Sequence, residues 1–283
     1  MKKEKEPRSA ILKVPQKAIL KAPQKAIVLA AFGTKAPGAE KAFTEIERRV
    51  REKHRGIGVR WAFTSKTVRS RAATDGRELC SPETAFSRLT DEGFTHVVVL
   101  PLYIVPGQEF QGLCLEAERF QAENTGLDKI EIARPLVANY EDMQTVCEIL
   151  ADKFSRQDPH EGSIFIGHGN CNHPSGAIYA AMNSLLMARR SRLFCGTVLG
   201  HPTPAELLSE LKAAKVWRVT LVPLMTLAGE HARKDIAGNE HGSWKSILAE
   251  NGIESEPVFT GLAENPDIIP VWLDHLEEAF SKL

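Results

Sequence analysis

The chain reads as an α/β protein of two similar domains, each with a central, mainly parallel four-stranded sheet flanked by helices. Three observations predict this. Apolar runs without polar alternation recur along the chain, such as AIVLAAF at 26–32 and HVVVLPL at 96–102, and strands buried on both faces have this character. Most runs are followed by a segment with helical spacing, and strand–helix alternation implies parallel strands joined by right-handed crossovers. After four such strands the pattern begins again.

The elements follow in order. Strand Ala26–Phe32 closes at Gly33-Thr34. Residues 39–53 alternate apolar and charged positions at helical spacing. A strand at 59–65 precedes a basic segment holding Lys66, Arg69 and Arg71. Ser81 can cap a helix to residue 92, with Pro82 in its first turn. Strand 96–102 precedes a helix containing 116–123 and a short strand at 130–133. The second series has a helix at 141–154 and a strand at 163–166 running into Gly167-His168-Gly169. A helix at 178–189, a strand at 193–198 and a helix at 205–214 follow. Strand Val219–Leu224 leads to Gly229-Glu230-His231 and a helix-like stretch at 232–237. A helix at 243–250, a strand at 255–259 and a helix at 266–280 close the chain.

Length and composition fit this division. The 283 residues suffice for about two domains. The expected boundaries are a disordered basic leader at 1–24, an N-terminal domain at 25–138 and a C-terminal domain at 139–283. The leader carries an octapeptide repeat, AILKVPQK then AILKAPQK, whose prolines prevent a continuous helix. Residues 1–25 contain eight Lys/Arg against two Asp/Glu, so the rest of a chain with 36 of each is mildly acidic. That balance does not suggest nucleic-acid binding. Five widely spaced cysteines without a C-x-x-C motif favour reduced thiols. With no secretory signal and no apolar stretch of about 20 residues, a cytoplasmic protein away from the membrane is expected. A homo-oligomer is compatible with the sequence.

The two halves echo one another. Val98-Val99-Leu100-Pro101-Leu102 matches Thr220-Leu221-Val222-Pro223-Leu224, and the same offset pairs Gly107 with Gly229 and Glu109 with His231. Ala31-Phe32-Gly33-Thr34 likewise stands against Gly167-His168-Gly169-Asn170. Ligands of open α/β sheets bind beyond the carboxyl ends of strands. If the domains face one another, Glu109, His168 and His231 line the gap.

His168 between two glycines is the sharpest local signal. An unshielded imidazole can bind a divalent metal or accept a proton near neutral pH, although a loop histidine bonded to a carbonyl has the same sequence. Imidazole with carboxylate suits Co²⁺, Ni²⁺, Fe²⁺ or Zn²⁺. His201, after Gly200 beyond another strand, is a further candidate ligand. His168, Cys171 and His173 lie close in sequence but match no standard zinc module. Lys66, Arg69 and Arg71 are either a solvated face or clamps for an anionic ligand. The motifs G-x-G-x-x-G, G-x-x-x-x-G-K-[ST] and G-x-S-x-G are missing, which argues against nucleotide cofactors and serine hydrolysis.

Six segments in order, KAIVLAAFGT, AFTSKTVRSR, PLYIVPGQEF, GHGN, GTVLGHPT and PLMTLAGEHARKDIAG, carry a resemblance from about Lys25 to the C-terminus. The chain resembles the class II chelatases, most closely the anaerobic sirohydrochlorin cobaltochelatases of cobalamin biosynthesis. The resemblance implies a chelatase-like, flavodoxin-related fold with a tetrapyrrole cleft between its domains. It implies His168 and His231 as the metal-binding and proton-accepting pair, and Glu109 as an acidic residue assisting metal delivery. It implies an ATP-independent lyase whose substrates are sirohydrochlorin and Co²⁺, with Fe²⁺ or Ni²⁺ as the alternatives, and Lys66, Arg69 and Arg71 meeting the substrate's carboxylates. A rival of another class is a non-catalytic tetrapyrrole or metal carrier. One position departs from the pattern: relatives commonly carry glutamate in V-E-G-x-P, where this chain has Leu199, and His201 is the nearest substitute.

Overall fold

The structure, a computed structural model, describes residues 23–34, 38–123, 126–189 and 192–283. Almost all of the expected leader, residues 1–22, lies outside them. Strands β1 (Lys25–Ala31), β2 (Gly58–Phe63), β3 (His96–Pro101) and β4 (Lys129–Ile132) form one parallel sheet in the order β2-β1-β3-β4. Strands β5 (Glu161–Gly167), β6 (Leu193–Thr197), β7 (Arg218–Pro223) and β8 (Glu254–Pro257) form a second in the order β6-β5-β7-β8. This is the two-sheet parallel α/β architecture expected from the strand runs.

Helices α1 (Ala39–Lys53), α2 (Lys66–Thr74), α3 (Pro82–Asp91) and α4 (Gln108–Ala122) belong to the first series. Helices α5 (Tyr140–Phe154), α6 (Gly176–Arg189), α7 (Pro204–Ala213), α8 (Trp244–Glu250) and α9 (Ile269–Phe280) complete the chain. Two helices differ from the sequence reading. Lys66, Arg69 and Arg71 are helical, because the Ser65 hydroxyl caps α2 by accepting the Val68 N–H. Helix α4 begins at Gln108, so Glu109 stands in its first turn. The apolar periodicity of α4 is weak over that turn, which hid its start.

Both faces of the inner strands are covered, which explains their unbroken apolar sequences. In β1, Ile27, Leu29 and Ala31 enter a central core, while Ala26, Val28 and Ala30 enter an outer one. The same alternation runs through β3, β5 and β7. The central core is continuous through both halves, joining Leu29 and Leu100 to Phe165 and Val222. Side chains of α1, α5, α6 and α9 fill it. At roughly 1.5–3 kcal/mol for each large apolar side chain buried, this shared layer fixes how the halves sit together.

The last helix crosses back. Although α9 follows the second sheet in sequence, it packs against β3 and β4 of the first. Trp272, buried on α9, donates its indole N–H to the Tyr103 carbonyl at 3.4 Å. His275 on the same helix approaches the Arg134 carbonyl and the Asp142 carboxylate, at 3.2 and 3.1 Å.

The echo between the halves is one of register. Lys25 pairs with His96 and Ala30 with Pro101 in the first sheet; Glu161 pairs with Arg218 and Ile166 with Pro223 in the second. Phe32 is therefore the positional counterpart of His168, and Gly33 of Gly169. Both glycines adopt positive φ, 94° and 73°. The contacts between halves repeat as well. A Cβ on Gly229 would lie 3.4 Å from the Thr34 hydroxyl, and one on Gly107 would lie 3.5 Å from the Ser175 hydroxyl.

Candidate functional site

The carboxyl ends of β2, β3, β5, β6 and β7 lead to the residues singled out above. His168 follows the last residue of β5, and its flanking glycines have separate physical reasons. The Tyr179 ring lies against Gly167, where a Cβ would come within 2.1 Å of it. Gly169 has a left-handed φ, and a Cβ there would meet the Leu199 carbonyl oxygen at 2.4 Å. The loop is held from below by buried Tyr179. It is held from the side by the N–H of Leu199, which donates to the His168 carbonyl at 2.8 Å. The His168 side chain stands above this frame, exposed.

His231 reaches the same place from the other inner strand. After β7, the chain turns through Gly229 and enters a short π-helical turn, Ala232–Ile236, anchored by buried Ala232 and Ile236. The imidazoles of His168 and His231 meet with ring centroids 4.6 Å apart and planes nearly perpendicular, at 83°. Residues 63 positions apart in the chain thus share one site.

Each ring is backed at Nδ1. For His168 the partner is the Gly169 carbonyl oxygen at 2.9 Å; for His231 it is an Asp235 carboxylate oxygen at 2.6 Å. Carbonyls and ionised carboxylates only accept hydrogen bonds, so Nδ1 carries the proton in both rings. A neutral imidazole then has a free lone pair on Nε2. The site offers two such nitrogens, able to take a divalent ion or a proton. Asp235 escaped the sequence reading, yet its spacing of four from His231 was a usable signal, since i and i+4 are neighbours on a helical turn.

The charged residues are arranged around this pair. Glu230 is exposed and bonded to Lys234 at 2.6 Å. That contact holds its carboxyl below the ordinary carboxylate range, and the Arg71 guanidinium, in the other half, adds to the effect. Arg71 therefore lies within electrostatic reach of the His231 turn. Arg69 is committed to the fold, donating to the Phe63 and Thr64 carbonyls. Lys66 is exposed at the start of α2. Glu109 is exposed in the first turn of α4, whose Gly107 N-cap abuts the Ser175 end of the loop after His168.

His201 is not brought to the pair. Its Nδ1 faces both oxygens of Glu206, at 2.9 and 3.0 Å, at the capped start of α7. His173 turns to Ser175, with its Nδ1 2.8 Å from the hydroxyl. Among the described residues, no group of three His, Cys, Asp or Glu side chains is placed to hold a metal. Leu199, beside His168, is half-exposed at 52%, and Phe32, at the end of β1, is 47% exposed. Both leave apolar surface at the strand ends, where a flat organic ligand would gain from contact.

Twin parallel sheets with a shared core, and two imidazoles meeting at their carboxyl ends, place the chain among two-sheet α/β proteins that carry their site at the strand ends. Solved structures share the fold. SirB from Bacillus subtilis, described with Fe³⁺, superposes with a TM-score of 0.62 at 16% identity, over 90% of this chain and 95% of that one. CbiX, described as the terminal enzyme of sirohaem biosynthesis in denitrifying bacteria, superposes with a TM-score of 0.54 at 15% identity, over 90% and 99%. The sequence narrows the class. Residues 25–281 match the family described as cobalt chelatase (CbiK), and the chain belongs to that family of metal chelatases. The sirohydrochlorin cobaltochelatase CbiKC of Nitratidesulfovibrio vulgaris is 36% identical over 257 residues, 90% of each chain. The sirohydrochlorin cobaltochelatase of Salmonella typhimurium is 29% identical over 221 residues, covering 78% of this chain and 82% of that one.

Proposed function

We propose that this chain inserts Co²⁺ into sirohydrochlorin without ATP, using His168 and His231 as metal ligand and proton acceptor. The observation that carries the reading is the perpendicular imidazole pair, with both Nε2 lone pairs free, at the mouth between the sheets. Family membership supports the substrate class.

Metal insertion exchanges one divalent ion for two pyrrole N–H protons. The ion must be held firmly enough to lose water and loosely enough to leave. Two neutral imidazoles, with the remaining positions open to water or to the incoming macrocycle nitrogens, meet both demands. The rings divide the work. His168 is backed by a carbonyl, which stays neutral, whereas the Asp235 carboxylate behind His231 balances the charge of an imidazolium. We assign the resting ion to both Nε2 atoms and, as it passes to the macrocycle, the first proton to His231; the second leaves to solvent. At the observed exposure the balancing contact is worth on the order of 1 kcal/mol. Glu109 serves as an acidic neighbour on the metal's route. Arg71 and Lys66 meet substrate carboxylates by charge-assisted bonds, while Arg69, tied to two carbonyls, chiefly holds the start of α2. Fe²⁺ and Ni²⁺ are the alternative ions, since imidazole accepts them too.

The test is an optical assay of macrocycle metallation with Co²⁺, Fe²⁺ and Ni²⁺ supplied separately. His168→Ala should abolish insertion while the variant still binds sirohydrochlorin. Parental turnover by that variant would remove His168 from the mechanism. A parental chain that binds the macrocycle but never metallates it would identify a carrier.

A further inference from the structure

We propose that Asp235 is a positioning residue that fixes the tautomer and the orientation of His231, so that the Nε2 lone pair faces His168. The inference deepens the proposed function and rests on its reading that His231 works through Nε2.

The geometry is specific. Asp235 Oδ2 lies 2.6 Å from His231 Nδ1, a short contact of the charge-assisted kind. Asp235 lies in the π-helical turn and His231 is its N-cap residue; the turn buries Ala232 and Ile236, so the carboxylate is carried by a packed segment. The neighbouring cation does not compete for Asp235, because Lys234 Nζ is bonded to Glu230 at 2.6 Å. Two side-by-side pairs, Glu230–Lys234 and His231–Asp235, order the turn. Without an acceptor at Nδ1, neutral imidazole distributes its proton over both nitrogens, and every molecule with the proton on Nε2 has no lone pair for an ion. The ring would also rotate freely, and the perpendicular approach to His168 would be lost. His168 needs no such carboxylate, because the Gly169 carbonyl at 2.9 Å does the same for its tautomer. Outer groups of this kind are typically worth 10–100-fold in metal affinity or activity.

Asp235→Asn separates this role from mere support. The amide is nearly isosteric, but its NH₂ can donate to Nδ1 and so favours the opposite tautomer. Two-bond ¹H–¹⁵N correlation spectra of the metal-free chain at about pH 8, above the ordinary histidine range, report the tautomer of His231 directly. The parental chain should show Nδ1–H, and Asp235→Asn should shift toward Nε2–H. Titration with Co²⁺ alone should show affinity down by roughly 10–100-fold, with kcat reduced similarly and KM for sirohydrochlorin within about twofold. Asp235→Glu, which keeps the carboxylate, should recover part of both losses. An unchanged His231 tautomer in Asp235→Asn, or parental Co²⁺ affinity and turnover, would overturn the inference. Failure of the underlying reading looks different: His231→Ala would retain turnover, whatever the spectra of the Asp235 variants show.

Discussion

Gly169 and Gly76 form a matched pair that isolates what the loop after β5 demands. Their φ angles are nearly equal, 73° and 72°. A Cβ on Gly76 would meet nothing within 4 Å, whereas one on Gly169 would lie 2.4 Å from the Leu199 carbonyl oxygen and 2.7 Å from Thr197 Cβ. Alanine at either position pays about 1–2 kcal/mol for the left-handed conformation. It recovers about 0.4–1 kcal/mol from a stiffer unfolded chain. Gly76→Ala should therefore cost about 0–1.6 kcal/mol. Gly169→Ala adds an overpacking cost of about 1–3 kcal/mol, because its obstacles are backbone and a Cβ that cannot swing away. The expected gap between the two variants is thus about 1–3 kcal/mol, read from denaturant midpoints with unchanged slopes. Function should separate them further. Relief of the collision must push Leu199 away and loosen its 2.8 Å bond to the His168 carbonyl, which displaces the imidazole. A displacement of about 1 Å can cost on the order of 100-fold in rate. Metallation assayed well below the unfolding temperature should fall at least tenfold in Gly169→Ala and stay parental in Gly76→Ala. Equal stabilities, or parental turnover in Gly169→Ala, would refute the argument that this glycine shapes the site.

Two further predictions follow from the same neighbourhood. Leu199→Glu places a carboxylate beside His168, and Co²⁺ affinity measured by calorimetry should rise by about tenfold or more, with slower release to the macrocycle; unchanged affinity would show that residue 199 does not face the ion. Glu206 caps α7 through the Thr203 N–H and sits against His201, and these contacts, the backbone one first, hold its carboxyl below the usual 4.5. A depressed carboxyl stabilises the fold above its unfolded pKa and loses that contribution as pH falls through its folded value. The side chain is half-exposed, so the parental advantage over Glu206→Gln should stay under about 1 kcal/mol near neutrality and shrink below about pH 4.5; an advantage that grows on acidification would contradict the sign.

How much was legible in the sequence depended on the range of the interaction. Strand runs and helical spacing are local, so both sheets, their parallel sense and nearly every element could be read directly. The shared offset between β3 and β7 was also legible, because equivalent strands in equivalent surroundings keep equivalent patterns; the matching register of the two sheets is its structural form. Helix α2 was missed because its signal, a serine cap before a basic run, resembles a loop when charge is weighed first. Glu109 was read at the right place after β3 but without the helix turn beneath it.

The linear order of residues marked His168 and His231 as neighbours of strand ends, and with them the glycines that confine one and precede the other. Only the packed molecule decided that those two rings meet while His201 turns to Glu206, that α9 returns to the first sheet, and that residue 199 flanks His168. The reason is that such pairings depend on how two sheets share one core, a sum of many weak apolar contacts between distant segments. No single stretch of chain encodes that sum, whereas the proton on each Nδ1 follows from it as soon as a carbonyl and a carboxylate are set behind the rings.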